Sequence, residues 1–242
     1  MRMCALPPAL PAFAAGLDGR FAADGALARH ARWQPHDLLR LRRLPAFDGE
    51  PMWVREAFAR APFVVVRRAQ TAESYIAVGV RGASRAQRYG TWVQASDVEL
   101  TVSPDSLVAL EPQVERVPLP AFAALAALRR APGSLAQFVW GPTGSVGYEL
   151  ATRVPAATSA SDLDLLILTP EKMPDATAIR LLSELNRHAQ NAGVRVDVQL
   201  ETPAGGVALA ELAAGKPHVM VRAAYGPALV TDPWAVTTTR HA

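Results

Sequence analysis

The chain has 242 residues, half of them hydrophobic, and its 25 basic and 22 acidic side chains leave a net charge of +3. That composition excludes a disordered chain, the single cysteine (Cys4) excludes an internal disulfide framework, and no apolar run reaches the roughly 20 residues that cross a bilayer, so the expected location is the cytoplasm. A sequence pI near 9.4 invites nucleic acid as a partner, but the net charge is small and no basic stripe is interleaved with aromatics, so neither nucleic acid nor a membrane is expected as a partner.

In chain order, the N-terminal MRMCALPPALPAFAAG has the look of a signal peptide, but Pro7, Pro8 and Pro11 break the apolar helix such a segment needs. His36-Asp37 before Leu38-Leu39 reads as a helix start, with Asp37 near the N-terminus. A short helix is expected over Met52–Arg60, a strand over Phe63–Arg68 and another over Tyr75–Val80, followed by a turn at Arg81–Arg85. Glu111–Pro120 (EPQVERVPLP) holds three prolines and neither period, so it reads as a linker. It divides the chain into a domain over 1–115 and a second over 118–242, each of ordinary domain size.

The second domain opens with a helix over Pro120–Arg130, stopped before Pro132-Gly133. A strand around Leu135–Trp140, a Gly144-Ser145 turn and a strand through Asp162–Leu168 follow. Ala176–Gln190 reads as a helix with Ile179, Leu182 and Leu185 on its apolar face, ending at Gly193. Val194–Leu200 alternates strictly and reads as a half-buried strand. A helix at Val207–Ala214 stopping at Gly215 and a strand at His218–Arg222 complete the pattern. Strands separated by helices point to α/β packing.

Chemistry concentrates in the second domain. Residues i and i+2 of a strand share a face, so Asp162 and Asp164 project together while Leu163, Leu165 and Ile167 face the other way. Two adjacent carboxylates repel, and one would tend to keep its proton unless a cation relieved the conflict. Mg²⁺ takes one or two carboxylates together with substrate phosphates. Asp197 adds a third carboxylate on a strand that can lie beside the first. An Asp-x-Asp pair alone is weak evidence, since many such pairs are solvated strand ends; the strand, helix and strand around this one give it context. Trp140-Gly-Pro-Thr-Gly-Ser-Val-Gly147 is glycine-rich without being a Walker loop, and Gly144 with Ser145 can offer donors to phosphate oxygens. The set is similar to the nucleotidyltransferase superfamily, in which a Gly-Ser turn holds phosphates and three acidic residues hold metal.

In the first domain, Arg67-Arg68 and Arg81, Arg85 and Arg88 cluster at strand ends. They read either as a site for phosphate or an acidic partner or as solvated surface charge. No nucleophile motif accompanies His36-Asp37, His188 reads as a surface residue, and no His or Cys cluster has zinc spacing.

Across both domains the chain resembles the phosphoribosyl-dephospho-CoA transferase family, also called malonate decarboxylase holo-[acyl-carrier-protein] synthase. The resemblance rests on Trp140–Gly147, Ser161-Asp-Leu-Asp-Leu-Leu166 and Arg195-Val-Asp197 in the second domain. In the first it rests on Pro35-His-Asp-Leu-Leu39, Val66-Arg-Arg68 and Val78-Gly-Val-Arg-Gly82 with Arg85 and Gln87-Arg88. It implies an α+β protein whose C-terminal domain is a nucleotidyltransferase-like mixed sheet with flanking helices, joined to a smaller α+β N-terminal domain. It also implies transfer of the prosthetic group of 2′-(5″-triphosphoribosyl)-3′-dephospho-CoA to a serine of the acyl-carrier protein subunit of malonate decarboxylase, with loss of pyrophosphate. Asp162 and Asp164 carry over as the catalytic pair binding Mg²⁺ or Mn²⁺. Asp197 follows the wider superfamily pattern, as metal ligand or general base. Gly144, Ser145, Arg67 and Arg81 are the phosphate-binding candidates, with the N-terminal arginines open to the triphosphate or to the carrier protein. Two rival readings are a nucleotidyltransferase with another small-molecule or protein acceptor, and a non-catalytic binding module of the same fold.

Overall fold

The computed structural model describes residues 32–72 and 74–235. Cys4 and the proline-broken N-terminal stretch lie outside the described residues. The described chain divides into two compact units between Val102 and Ser103.

Short β-branched and leucine-rich runs make the first unit a sheet. β1 (Leu38–Leu41), β2 (Phe63–Val66), β3 (Tyr75–Arg81), β4 (Arg88–Gln94) and β5 (Val98–Val102) pair antiparallel in the order β4-β3-β2-β1-β5. α1 (Met52–Arg60) adds Val54 and Ala57 to a buried cluster built on Leu39, Val64, Val78 and Val93. Each such aliphatic side chain contributes about 1.5–3 kcal/mol on leaving water. Arg55 of α1 pairs with Glu50 and donates to the carbonyls of Leu44 and Pro45, fastening the segment before the helix. No helix starts at His36-Asp37. Asp37 accepts a hydrogen bond from the Gln34 amide at 2.8 Å and closes a turn, because Leu38 and Leu39 are needed in a strand between β2 and β5.

The proline-rich segment 111–120 is not where the units part. It lies within the second unit, after a short 3-10 turn at Asp105–Ala109 whose Leu107 is buried. Arg116, inside the segment, is fixed by Glu149, and Glu111 pairs with Arg129 at 3.0 Å. Prolines here shape a fastened strap rather than a free linker.

The second unit runs α2 (Pro120–Arg130), β6 (Val139–Pro142), α3 (Gly144–Thr152), β7 (Leu163–Leu168), α4 (Asp175–Asn191), β8 (Val196–Thr202), β9 (Gly205–Ala208), α5 (Leu209–Ala213), β10 (Val219–Ala223) and β11 (Gly226–Val230). The six strands form one mixed sheet, β11-β10-β9-β8-β7-β6. β7 and β8 are parallel, joined by the α4 crossover, and the other pairs are antiparallel. The architecture is the expected α+β one. α2 starts at Pro120, whose fixed φ suits a first helical position, and buries Ala121, Phe122, Ala124, Leu125 and Leu128 at helical spacing. α4 buries Ala178, Leu181, Leu185 and Ala189. Ile179, expected on that face, is 55% exposed; small alanines let the helix sit close where a β-branched residue would hold it off. Residues 133–137 form a 3-10 turn rather than a strand, because Glu184 of α4 accepts from both the Ser134 amide and hydroxyl. Val207 and Ala208 belong to a strand paired with β8, so the helix expected from 207 begins at Leu209.

Candidate active site

β7 buries Leu163, Leu165 and Ile167 and turns Asp162 and Asp164 to the opposite side. The parallel register sets Asp164 directly opposite Asp197 of β8. Three carboxylates from two segments of chain therefore share one face at the start of two neighbouring strands. The register pairs Asp164 with Asp197, while Asp162, one residue before β7, is linked to Asp197 through Arg195.

Gly144 and Ser145 do not form a free turn. They open α3, a helix the sequence reading lacked, and Ser145 is buried in its first turn. The Thr143 amide donates to the Asp164 carbonyl at 2.9 Å, which fixes the helix start against β7. Gly144 has φ +59°, in the left-handed region, and a Cβ there would stand 1.8 Å from Asp164 Oδ2. Only glycine meets both demands. Thr143 makes no side-chain cap, and the N-terminus of a helix carries amides that can receive phosphate oxygens.

Arg195 belongs to the Arg195-Val-Asp197 motif, but the sequence alone assigns it no role. It precedes Asp197 by one strand repeat and thus shares its face. Its Nη2 lies 2.7 Å from Asp162 Oδ2 and 2.8 Å from Asp197 Oδ2. The two carboxylates, Asp197 first and then Asp162, raise the pKa of the guanidinium. The signal was available: an arginine two residues before a carboxylate on an alternating strand must project beside it.

Approach to Asp162 is set by the far end of α3. Glu149, buried, accepts from the amides of Ala156 and Ala157 at 2.7 and 2.8 Å and from Arg116 Nε at 2.7 Å. Arg116 also donates to the Ala157 carbonyl at 2.6 Å. Burial alone would push the Glu149 carboxyl up, but Arg116 and the two amides outweigh it and hold it below the usual carboxylate range.

Arg67 and Arg81 belong to the first unit and form a cluster there. Arg81 and Arg88 are register partners at the tip of the β3–β4 hairpin, and Arg85 lies in the turn between them. One strand repeat inward, Gly79 and Gly90 are also partners. The Arg67 side chain lies across both: a Cβ on Gly90 would stand 2.2 Å from its Nη1, and one on Gly79 3.4 Å from its Cδ. Glycines inside strands mark places where something approaches the backbone closely, and here that is a guanidinium laid flat on the sheet.

The donor set of Asp162, Asp164 and Asp197 is all oxygen and so suits Mg²⁺ or Mn²⁺ rather than a softer metal. The space above the Gly144 Cα is taken by the Asp164 carboxylate, which sets that carboxylate against the start of α3. Among the described residues, no group of three or more His, Cys, Asp or Glu is placed to hold a metal ion; between Asp162 and Asp197 the intervening group is the Arg195 guanidinium. No helix among the described residues is long and apolar enough to cross a membrane.

Residues 106–233 match the family described as phosphoribosyl-dephospho-CoA transferase MdcG C-terminal domain, and residues 34–104 match its N-terminal domain. The chain is 41% identical to the phosphoribosyl-dephospho-CoA transferase of Pseudomonas aeruginosa, over 87% of this chain and 98% of that protein. It is 42% identical to the one from Pseudomonas putida, over 83% of this chain and 95% of that protein. It is 41% identical to the one from Klebsiella pneumoniae, over 83% and 96%. No solved structure matches the chain significantly.

Proposed function

The chain belongs to the phosphoribosyl-dephospho-CoA transferase family, and from that premise we propose that it transfers the phosphoribosyl-dephospho-CoA group of 2′-(5″-triphosphoribosyl)-3′-dephospho-CoA to a serine of the malonate decarboxylase acyl-carrier protein. In this reaction the serine Oγ bonds to the α-phosphorus, the α–β anhydride bond breaks, and pyrophosphate leaves with the bonding pair. A substrate built on dephospho-CoA puts the enzyme in the cytoplasm.

The observation that supports this reading best is the meeting of the Asp164–Asp197 register with the N-terminus of α3 at Gly144. Helix-end amides favour phosphate, whereas carboxylates repel it. A site that combines the two makes sense when a cation is shared between them. Asp162, Asp164 and Asp197 would hold Mg²⁺ or Mn²⁺, which supplies charge neutralisation at the attacking and leaving oxygens. The amides of Gly144 and Ser145 orient the phosphates in line with the incoming hydroxyl, and positioning is most of what a phosphoryl-transfer protein contributes. Asp197, half-exposed at the start of β8, either completes that metal site or accepts the hydroxyl proton. Arg67 and Arg81, in the first unit, are separate candidates for the triphosphate or for the carrier protein.

Intact-mass analysis tests the whole reading. The carrier protein, incubated with enzyme, Mg²⁺ and the triphosphoribosyl substrate, gains one phosphoribosyl-dephospho-CoA group on a single serine, and one pyrophosphate appears per group attached. An unmodified carrier together with a modified small molecule or other protein would establish a different acceptor.

A further inference from the structure

The two ion pairs of Arg195 have a geometry that a structural clip does not require. A single nitrogen, Nη2, contacts one oxygen of Asp162 and one of Asp197, on neighbouring segments of the carboxylate face. That nitrogen occupies the point from which one positive centre reaches both oxygens. The side chain is 64% exposed, while Asp162 is 18% exposed. Little packing holds the guanidinium in place, and exposed ion pairs of this kind are weak. Its backbone is firmly set: the Arg195 carbonyl accepts from the Leu163 amide at 2.9 Å, which keeps the residue opposite Asp162. The backbone is anchored and the head is exposed.

We propose that Arg195 is a resident counter-ion that neutralises Asp162 and Asp197 while no divalent cation is bound, and that cation and guanidinium compete for the same two oxygens. This rests on the metal-binding reading given above. With Arg195 in place the repulsion between the two carboxylates is offset. Mg²⁺ needs those oxygens and so displaces the guanidinium, which swings out on its long stem. Once released, it is a planar phosphate donor at the rim of the site.

The test uses the full chain without substrate and Mn²⁺ as the probe, with free Mn²⁺ followed by electron paramagnetic resonance. Wild type, Arg195→Ala, the near-isosteric neutral Arg195→Gln and Asp162→Asn are titrated, and the metal-free melting temperature of each is recorded. Competition predicts that Arg195→Ala and Arg195→Gln bind Mn²⁺ roughly three- to tenfold more tightly than wild type, the scale of two exposed ion pairs. Their metal-free melting temperatures are lower, and the gap closes as Mn²⁺ saturates. If the wild type binds Mn²⁺ and both variants bind it equally or more weakly, the counter-ion idea is overturned and the metal reading stands. If neither wild type nor variants bind Mn²⁺ above the level of Asp162→Asn, the metal reading fails and takes this proposal with it. Should Arg195→Ala fold poorly, Arg195→Gln alone gives the same comparison.

Discussion

The carboxylate of Asp164 lies against the Cα of Gly144, so close that a methyl group there would stand 1.8 Å from Asp164 Oδ2. Gly144 is thus a position where helix start and catalytic strand are fitted to one another. Gly144→Ala is expected to abolish transfer, because it pushes Asp164 aside and strains a left-handed backbone. The same change should lower stability by about 1–3 kcal/mol, the cost of such strain. Urea melts read the second effect and carrier mass the first; a fully active Gly144→Ala protein would show that Asp164 has no fixed place in the chemistry.

Asp162→Asn and Asp164→Asn each remove a charge at constant shape. Turnover should fall roughly a thousandfold or more, since metal-ion charge stabilisation amounts to several kcal/mol, while far-UV circular dichroism stays unchanged. Excess chelator should stop the wild-type reaction, Mg²⁺ or Mn²⁺ should restore it, and Zn²⁺ should serve poorly with oxygen-only ligands. Near-normal rates in either variant, or in chelator, would remove the metal from the mechanism.

Arg67 and the glycines beneath it give a graded test. A Cβ at Gly90 displaces the guanidinium from 2.2 Å, whereas one at Gly79 only touches its stem at 3.4 Å. If Arg67 grips the triphosphate, Gly90→Ala should raise the KM for the small substrate nearly as far as Arg67→Ala does. Gly79→Ala should change it much less. Affinity for the carrier protein, measured separately, should hold in all three. A loss of carrier affinity instead would move Arg67 to the protein-docking surface.

Glu149 and Arg116 carry stability rather than chemistry. Arg116→Ala leaves a buried carboxylate without its partner and should cost about 3–5 kcal/mol. The pH dependence follows from the lowered Glu149 pKa. A carboxylate depressed on folding contributes stability that is fully present above its unfolded value and is lost as pH falls through the folded one. The stability difference between wild type and Glu149→Gln should therefore be full at pH 7 and shrink as pH falls below the ordinary glutamate range. A difference independent of pH in paired urea titrations would contradict the assignment.

What the sequence disclosed depended on whether the signal was local. Alternation at Val196, Val198 and Leu200 revealed β8, and the Asp162–Asp164 spacing revealed a shared face. Both are properties of a few consecutive residues. α3 escaped because Gly144-Ser145-Val-Gly147 is poor helix material, and the helix exists through burial of Val146, Tyr148 and Leu150 against the sheet. β1 was mistaken for a helix start because Asp37 caps a turn as readily as a helix. β9 was read as helix because its Gly205-Gly206 entry owes its form to the hairpin with β8. That Arg195 lies beside Asp197 follows from local alternation, but its reach to Asp162 depends on the parallel register, which no short stretch of sequence encodes.

The α4 crossover has a consequence for how the protein comes into being. Asp164 and Asp197 face each other only because β7 and β8 run parallel, and such strands need a crossover of the length of α4 between them. During synthesis, a nascent chain that has emerged no further than Gly193 carries two of the acids and lacks the third. Parallel pairing closes late because its entropy must be met before any contact rewards it. The completed carboxylate face is therefore a reporter of finished topology. A ligand that needs all three acids selects finished molecules from a mixed population, and by mass action it protects them from unfolding.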